Sequence, residues 1–410
     1  MTHGLTIGRP LRRWLSHGTM PPMAETAEAV IVGAGVHGAS LAFHLAQAGL
    51  RPLVLERGTV AGGATGRSSG VVRMHYDVET EARLAWLSHA YFSNWAERVG
   101  GDAGFVQTGF LQLVPSVEAD ALRANVAMQQ AIGIDTRLVG ADEVSSLLPG
   151  AVIDDVEVAS WEPLSGYADP TMTTSSLLAA AMRLGARLWT RCEATAVRVA
   201  GERVAGVETS RGPIDAPIVV DAAGAWSAPL AAGIGLDLPI QVWRHDVAYL
   251  HRPSDLPRHP VLIDFANAMY ARPEGDSLTL VALEDGNPLG GSPDAPVDAA
   301  APGFQEKAAE RLCRRLPHME VAGLHSAHSG QDGITPDQHP IIGPAGPEGF
   351  FLDTGFSGTG FKIAPATGAA LAQLIVEGAS REVDLRIYRL GRFADGEHIT
   401  GSHPYAPIWR

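Results

Sequence analysis

Val30-Ile31-Val32-Gly33-Ala34-Gly35-Val36-His37-Gly38 is an apolar strand running into a G-x-G-x-x-G turn, and Glu56 stands twenty-three residues past Gly33. An amphipathic stretch from Ala39 to Ala48 leaves the turn, Gly49 ends it, and Arg51-Pro52-Leu53-Val54-Leu55-Glu56 reads as a second strand closed by an acid. Strand, turn, helix, strand and acid in that order make a complete βαβ unit of the dinucleotide-binding kind. Gly33 permits the tight turn, Gly35 lets a pyrophosphate approach the backbone, and Gly38 lets the helix pack close to the strand. Val36 and His37 open the helix, whose unpaired N–H groups and positive dipole end face the phosphates. The His37 side chain is expected to face outward while its backbone binds. Glu56 is suited to accept hydrogen bonds from a ribose diol, and Arg57 beside it is counted as a further cofactor contact.

A second turn stands near the other end of the chain, in Phe350-Phe351-Leu352-Asp353-Thr354-Gly355-Phe356-Ser357-Gly358-Thr359-Gly360-Phe361-Lys362, followed by a helical stretch from Ile363 to Glu377. Clustered backbone N–H groups at Gly358, Thr359 and Gly360 would meet electron-rich ligand atoms, either a flavin ring or a substrate carboxylate. Two such turns in one chain favour FAD as the dinucleotide. Lys362 is one of two lysines, the other being Lys307, in a chain that otherwise carries positive charge as arginine. A compact ammonium on a flexible stem suits gripping a carboxylate or a flavin oxygen.

The 410 residues suit two domains, and 46% hydrophobic residues can build their cores. A net charge of −14 counts against nucleic acid or an anionic membrane as partner. No apolar run reaches the roughly 18 residues that a membrane span requires. Cys192 and Cys313 give no disulfide framework and fit a reducing compartment, so a cytoplasmic location is expected. Arg12-Arg13 could suggest an export signal, but Pro21, Pro22, Glu25 and Glu28 stand where an apolar segment is needed. A disordered tail, or a start assigned upstream of Met20 or Met23, fits better. No H-E-x-x-H or C-x-x-C occurs, and His37 and His339 have no partner spacing, so no metal site is expected.

Further segments carry a resemblance. They are Gly62-Gly63-Ala64-Thr65-Gly66-Arg67-Ser68-Ser69-Gly70-Val71-Val72-Arg73, then Val219-Val220-Asp221-Ala222-Ala223-Gly224-Ala225-Trp226-Ser227, then Thr335-Pro336-Asp337-Gln338-His339-Pro340-Ile341-Ile342-Gly343. With the two glycine turns, these occur in the same order in the D-amino acid oxidase superfamily. Over about residues 28 to 380 the chain resembles its sarcosine oxidase and dimethylglycine dehydrogenase branch.

The fold class expected is α/β (α+β), discontinuous in sequence. A Rossmann-like FAD-binding domain is assembled from 26–105, 150–235 and 325–385, and a mixed or antiparallel-sheet substrate domain from 106–149 and 236–324. Residues 1–25 are expected as a disordered tail, 386–410 as a C-terminal tail, and Gly290–Pro296 as an exposed loop. The cleft between the domains would hold the chemistry.

The resemblance implies an FAD-dependent oxidation of the C–N bond of a small amino acid or N-methyl amino acid. Sarcosine-like compounds, cyclic imino acids and D-amino acids all fit. It implies Arg73 and Lys362 as a carboxylate clamp, with Tyr270 lining the substrate pocket. Thr65, Gly66, Arg67, Ser68 and Ser69 would wrap the pyrophosphate or isoalloxazine, and Ala223, Gly224 and Trp226 would touch the cofactor where the chain recrosses it. Val197 would offer a backbone contact to adenine, and Gly333 is placed beside the flavin.

FAD is expected to be non-covalent: Gly330 stands where sarcosine oxidases resembling this chain carry the attaching cysteine, and no histidine lies between His44 and His75. The lysine that promotes oxygen reduction in those oxidases falls on Thr279, with Arg272 nearby, which favours a dehydrogenase. Two alternatives stay open. One is a hydroxylating monooxygenase, disfavoured because Gly-Phe-Ser-Gly replaces the expected Gly-Asp-Ala. The other is the FAD-binding subunit of a heteromeric amine dehydrogenase, with a redox partner or partner subunit beside the small-molecule substrate.

Overall fold

The structure is a computed structural model that describes residues 25–297 and 299–405. The expected disordered tail, Glu25 excepted, lies outside the described residues.

The βαβ unit forms as its pattern requires. Strand Val30–Val32 runs parallel to Leu53–Glu56, and helix Val36–Gln47 joins them. These strands belong to a six-stranded sheet in the order 187–190, 53–56, 30–32, 219–221, 350–354, 341–344. All neighbours are parallel except the last pair. The parallel strands are covered on both faces, so they read as unbroken apolar runs such as Val30-Ile31-Val32 and Leu53-Val54-Leu55. On one face lie helices Val36–Gln47, Pro170–Arg183 and Gly360–Glu377. The last begins at Gly360, three residues before the expected Ile363. Gly368 lets it approach the first helix, since a Cβ there would stand 2.3 Å from Ser40 Oγ. A four-stranded sheet, ordered 25–26, 214–215, 203–209, 194–200, covers the other face.

A second body of eight strands is ordered 324–334, 241–251, 278–283, 269–274, 261–264, 110–113, 159–162, 137–139. Its strands alternate as a two-faced sheet does. Leu262, Ala271, Val281 and Leu283 face helix Phe304–Arg315, whereas Ile263, Tyr270, Leu280 and Ala282 lie on the opposite face, in a cluster with Val71 and Tyr167. Two of its strands cross the boundaries expected from sequence. Ala159–Glu162 pairs with Phe110–Leu113, and Leu324–Ile334 pairs along the whole of Gln241–His251, so both join this sheet rather than the first.

The expected C-terminal tail is also corrected for residues 386–405. Arg392 is fully buried and pairs with Asp337 through Nε at 2.8 Å and Nη2 at 2.9 Å. Tyr405 is buried as well. A buried ion pair and a buried aromatic ring hold this segment in the fold.

Candidate active site

A cavity of about 860 Å³ lies at the carboxyl ends of the parallel strands, roofed by the inner face of the eight-stranded sheet. Ligand sites in open parallel sheets occur at this end of the strands. Gly33 has φ +109°, and a Cβ there would stand 2.5 Å from Ala222 O. A side chain at Gly38 would meet Gly33 O at 2.0 Å, so this glycine serves helix packing and lies outside the cavity wall. Glu56 is held by two backbone donors, Ala34 N–H at 3.0 Å and Gly58 N–H at 2.7 Å. A carboxylate has about four lone-pair sites, which leaves capacity for a diol. Thr65 Oγ1 accepts from Val36 N–H at 3.1 Å, tying the Arg67 loop to the helix start. Arg67 itself donates to Gly62 O and Gly63 O and so braces its own loop.

His37 departs from the sequence expectation of an outward side chain. It is buried, stacks on Phe356 with ring centroids 3.4 Å apart, and lies 3.1 Å from Gly360 O through Nε2. A carbonyl only accepts, so Nε2 carries the proton and Nδ1 is the acceptor facing Asp353 at 3.6 Å. Burial pushes His37 down to about 3 despite the carbonyl. Burial, with the charge of Asp221, raises Asp353 to about 7. The apolar floor formed by two helix starts and a strand end imposes both shifts. His339, whose sequence neighbourhood offers no metal-ligand spacing, is fully buried with Nδ1 2.7 Å from Glu81 Oε1.

Arg73 and Lys362 converge. Both are buried, at 5% and 7% exposure, and both line the cavity. The Arg73 guanidinium sits 4.5 Å over the Tyr76 ring and Lys362 Nζ lies 5.8 Å from the same ring. Among the described residues neither has a carboxylate within 4 Å. Burial holds Lys362 well below the ordinary lysine range, and the Arg73 charge adds to this against the pull of Glu81 and Asp332. Opposite them on the sheet, Tyr270 OH is 3.0 Å from His245 Nε2, with the rings stacked 5.7 Å apart. Burial pushes His245 down to about 4.

The cavity wall includes most of the residues expected from sequence. Gly35, Val36, Glu56, Arg57, Thr65, Arg67, Ser68 and Ser69 line it, as do Ala223, Gly224, Trp226, Gly358 and Gly360. Gly66, Val197, Gly333 and Thr359 do not. Val197 points into the core under the four-stranded sheet, and the wall there is Cys192–Thr195 instead. Gly333 packs on Ala225 and Ile240, leaving Gly330–Asp332 at the surface of the cavity. Thr359 turns its hydroxyl back onto Phe356 O at 2.7 Å, and Gly66 packs on Ala61 O. Thr279 is buried against His259 Nε2 at 3.0 Å, and Arg272 is occupied by Ser69 O and Glu274, so neither faces the cavity.

Several wall residues were not singled out from sequence. Asp332 accepts from Gly358 N–H at 2.7 Å and thereby shapes the second turn. Asp294, in the expected exposed loop, reaches the mouth of the cavity and binds Arg57 at 2.6 Å and Trp226 Nε1 at 2.9 Å. His245 had a signal of a kind, a histidine inside a β-rich run.

These residues fit a flavin dinucleotide. The glycine cradle leaves room for backbone approach, Glu56 marks the ribose end, and the helix starting at Gly360 directs its first-turn N–H groups at the far end. Residues 28–374 match the profile of the family described as DAO, FAD dependent oxidoreductase. The chain is 29% identical to the mitochondrial sarcosine dehydrogenase of Homo sapiens over 95% of its own length, and it spans 44% of that protein. Its fold is similar to that of an L-proline dehydrogenase from P. horikoshii, with TM-score 0.86 and 26% identity, covering 92% of this chain and 100% of the other. A glycine oxidase from Geobacillus kaustophilus is similar at TM-score 0.78 and 26% identity, covering 90% and 99% respectively.

Proposed function

The chain belongs to the DAO family of FAD-dependent oxidoreductases, and on that premise we propose that it oxidises the C–N bond of a small amino acid or N-methyl amino acid. The observation that carries this reading is the pair Arg73 and Lys362, two buried basic side chains with no carboxylate within 4 Å among the described residues, facing the cavity that fits FAD. Buried charges are paired unless a ligand pairs them. A planar guanidinium grips a carboxylate in two places and fixes its plane, while the ammonium adds a point charge. The same two positive charges disfavour an ammonium nearby, so they favour the neutral amine that the oxidation needs. Tyr270 and His245 roof the space as a hydrogen-bonded pair. The chemistry that FAD supplies when bound is two-electron oxidation, with hydride leaving the carbon beside the nitrogen.

The family relatives' names support amino acids and N-methyl amino acids as the substrate class. A second reading, an FAD-holding subunit of a larger amine dehydrogenase, draws on the chain's spanning only 44% of the human relative. One experiment separates them. Purified chain is mixed anaerobically with a panel of sarcosine, dimethylglycine, proline, glycine and D-alanine, and the flavin band is followed. Bleaching by a panel member is expected; a band untouched by every one, but bleached once a cell extract is added, favours the subunit reading.

We infer a dehydrogenase rather than an efficient oxidase. A fixed cation over the flavin stabilises the superoxide formed in the first electron transfer to O₂. The described sheet residues that line the cavity are Ile263, Tyr270, Trp243, the neutral His245 and, on 324–334, Gly330, Gln331 and Asp332, none of them a cation, and no lysine precedes Lys307. Reduced enzyme mixed with aerated buffer should reoxidise more slowly than it turns over with a quinone. Reoxidation as fast as turnover, with stoichiometric hydrogen peroxide, would overturn this.

We also infer that FAD is held without a covalent bond. Gly330 occupies the wall beside the Arg67 loop, and Cys192 lines the cavity only at the Glu56 end, its N–H on Glu56 O at 2.9 Å. Acid precipitation should leave the yellow colour in the supernatant, and a yellow pellet would refute it. The free cysteines support a reducing compartment; the relatives named mitochondrial favour an organelle as much as the cytoplasm expected from sequence.

A further inference from the structure

Arg73 and Ile263 are shared by two spaces. On one side they line the main cavity; on the other they line a void of about 10 Å³ whose wall includes His75, Tyr76, Phe265 and Tyr405. A space of that volume holds about one water molecule. The wall behind the Arg73 guanidinium is therefore built partly by the C-terminal segment. That segment is anchored at several points before it reaches Tyr405. Ile399 N–H donates to Asp337 at 3.1 Å, and Asn125 Nδ2 donates to His403 O at 2.9 Å. Gly401 presses on Asp77, where a Cβ would stand 2.5 Å from the Asp77 carbonyl oxygen.

Tyr405 is 6% exposed and sets its ring edge-on to Phe265, with centroids 5.3 Å apart. Its hydroxyl lies 2.7 Å from His75 Nε2, and His75 Nδ1 lies 3.4 Å from Ser160 Oγ. Burial, helped by the Arg73 charge, pushes His75 down to about 3, so the imidazole is neutral. The Tyr405 and Ser160 hydroxyls each share a hydrogen bond with one ring nitrogen of this neutral imidazole. An uncharged ring thus stands two residues from Arg73, bracing the strand end without competing with a carboxylate for the guanidinium.

We propose that Tyr405 is a positioning residue for Arg73, which it fixes through His75 and by filling the space behind the guanidinium. The proposal rests on the reading of Arg73 as the carboxylate clamp. It gives the C-terminal segment a part in substrate recognition although it lies more than 300 residues from Arg73 in sequence. A cation held against its substrate loses grip when displaced by even about 1 Å.

The test is a double-mutant cycle on the full-length holoenzyme, with acetate as the probe carboxylate and the shift of the flavin band as the readout. Tyr405→Ala should raise the dissociation constant of acetate about tenfold, with FAD affinity unchanged. Tyr405→Phe keeps the ring, loses the hydroxyl, and should fall between. In an Arg73→Ala background, either change at position 405 should have no further effect. If Arg73→Ala leaves acetate binding unchanged, the clamp reading fails and the proposal with it. If Arg73→Ala weakens binding but Tyr405 variants are silent, or weaken it by the same factor in both backgrounds, the positioning role is overturned while the clamp stands. Should Tyr405→Ala not fold, Tyr405→Phe completes the same cycle.

Discussion

Arg73→Ala should raise the substrate concentration that half-reduces the flavin anaerobically by roughly 30- to 4,000-fold, with FAD still bound. The range follows from the loss of one partner from a buried charge pair, about 2–5 kcal/mol, at tenfold per 1.4 kcal/mol. Among the described residues Arg73 has no carboxylate within 4 Å; it sits over Tyr76 and acts at longer range on Glu162 and Glu284, so a bound carboxylate would be its close anionic partner. Lys362 contributes differently because its proton is labile. Burial and the neighbouring Arg73 hold it well below the usual lysine range, so it loses its proton as pH rises through that lowered value. Half-saturation by a carboxylate substrate should therefore rise with pH in the parent. In Lys362→Met that alkaline limb should disappear. Unchanged half-saturation in both variants would remove the clamp.

Arg392→Ala should cost about 3–5 kcal/mol of stability at neutral pH, read by urea unfolding, because it leaves Asp337 as an uncompensated buried charge. Asp337 also accepts from His339 N–H at 3.2 Å, Thr335 Oγ1 at 3.2 Å and Ile399 N–H at 3.1 Å, so the loss spreads into the turn and the C-terminal segment together. The sign of the pH dependence is fixed by the folded carboxylate. Burial pushes Asp337 up, but the hydrogen bonds and charge of Arg392 outweigh it and hold the group below the ordinary range. A depressed carboxylate contributes stability above its unfolded value, near pH 4, and loses it as pH falls through the folded one. The gap between parent and variant should be complete above about pH 4 and close below it. A gap that stays constant down the whole acid limb would assign the loss to packing alone.

What was legible in the chain was what is local. The βαβ unit could be read whole because its strand, turn, helix and acid lie within thirty residues and each glycine has one steric reason, as at Gly33 and Gly38. Arg73 and Lys362 could be paired only through family resemblance, since nothing in either neighbourhood points to the other. Val197 was misplaced by a short distance, because a strand that touches a cavity at Ala194 and Thr195 turns its later residues into a core. Asp294 had no signal in its loop, and the His37 side chain was placed outward, for another reason. Their roles arise from tertiary neighbours, Arg57 and Trp226 for the first, Phe356 and the Gly360 carbonyl for the second. No spacing rule records such neighbours. The strands Ala159–Glu162 and Leu324–Ile334 crossed their expected boundaries because sheet membership follows pairing partners, which a β-rich run does not name.

The order of the six-stranded sheet also sets when this protein can become itself. Val30–Val32 waits for Val219–Asp221 to cover one edge, and that strand waits in turn for Phe350–Thr354. During synthesis the first βαβ unit emerges with an open, apolar edge, the kind of surface that pairs with other chains. Pairings this distant in sequence are slow to close and keep partly folded forms exposed. The crevice is complete only after most of the chain has left the ribosome, so FAD is a late arrival. It then acts as a ligand of the finished fold, drawing the population away from forms in which that edge is bare.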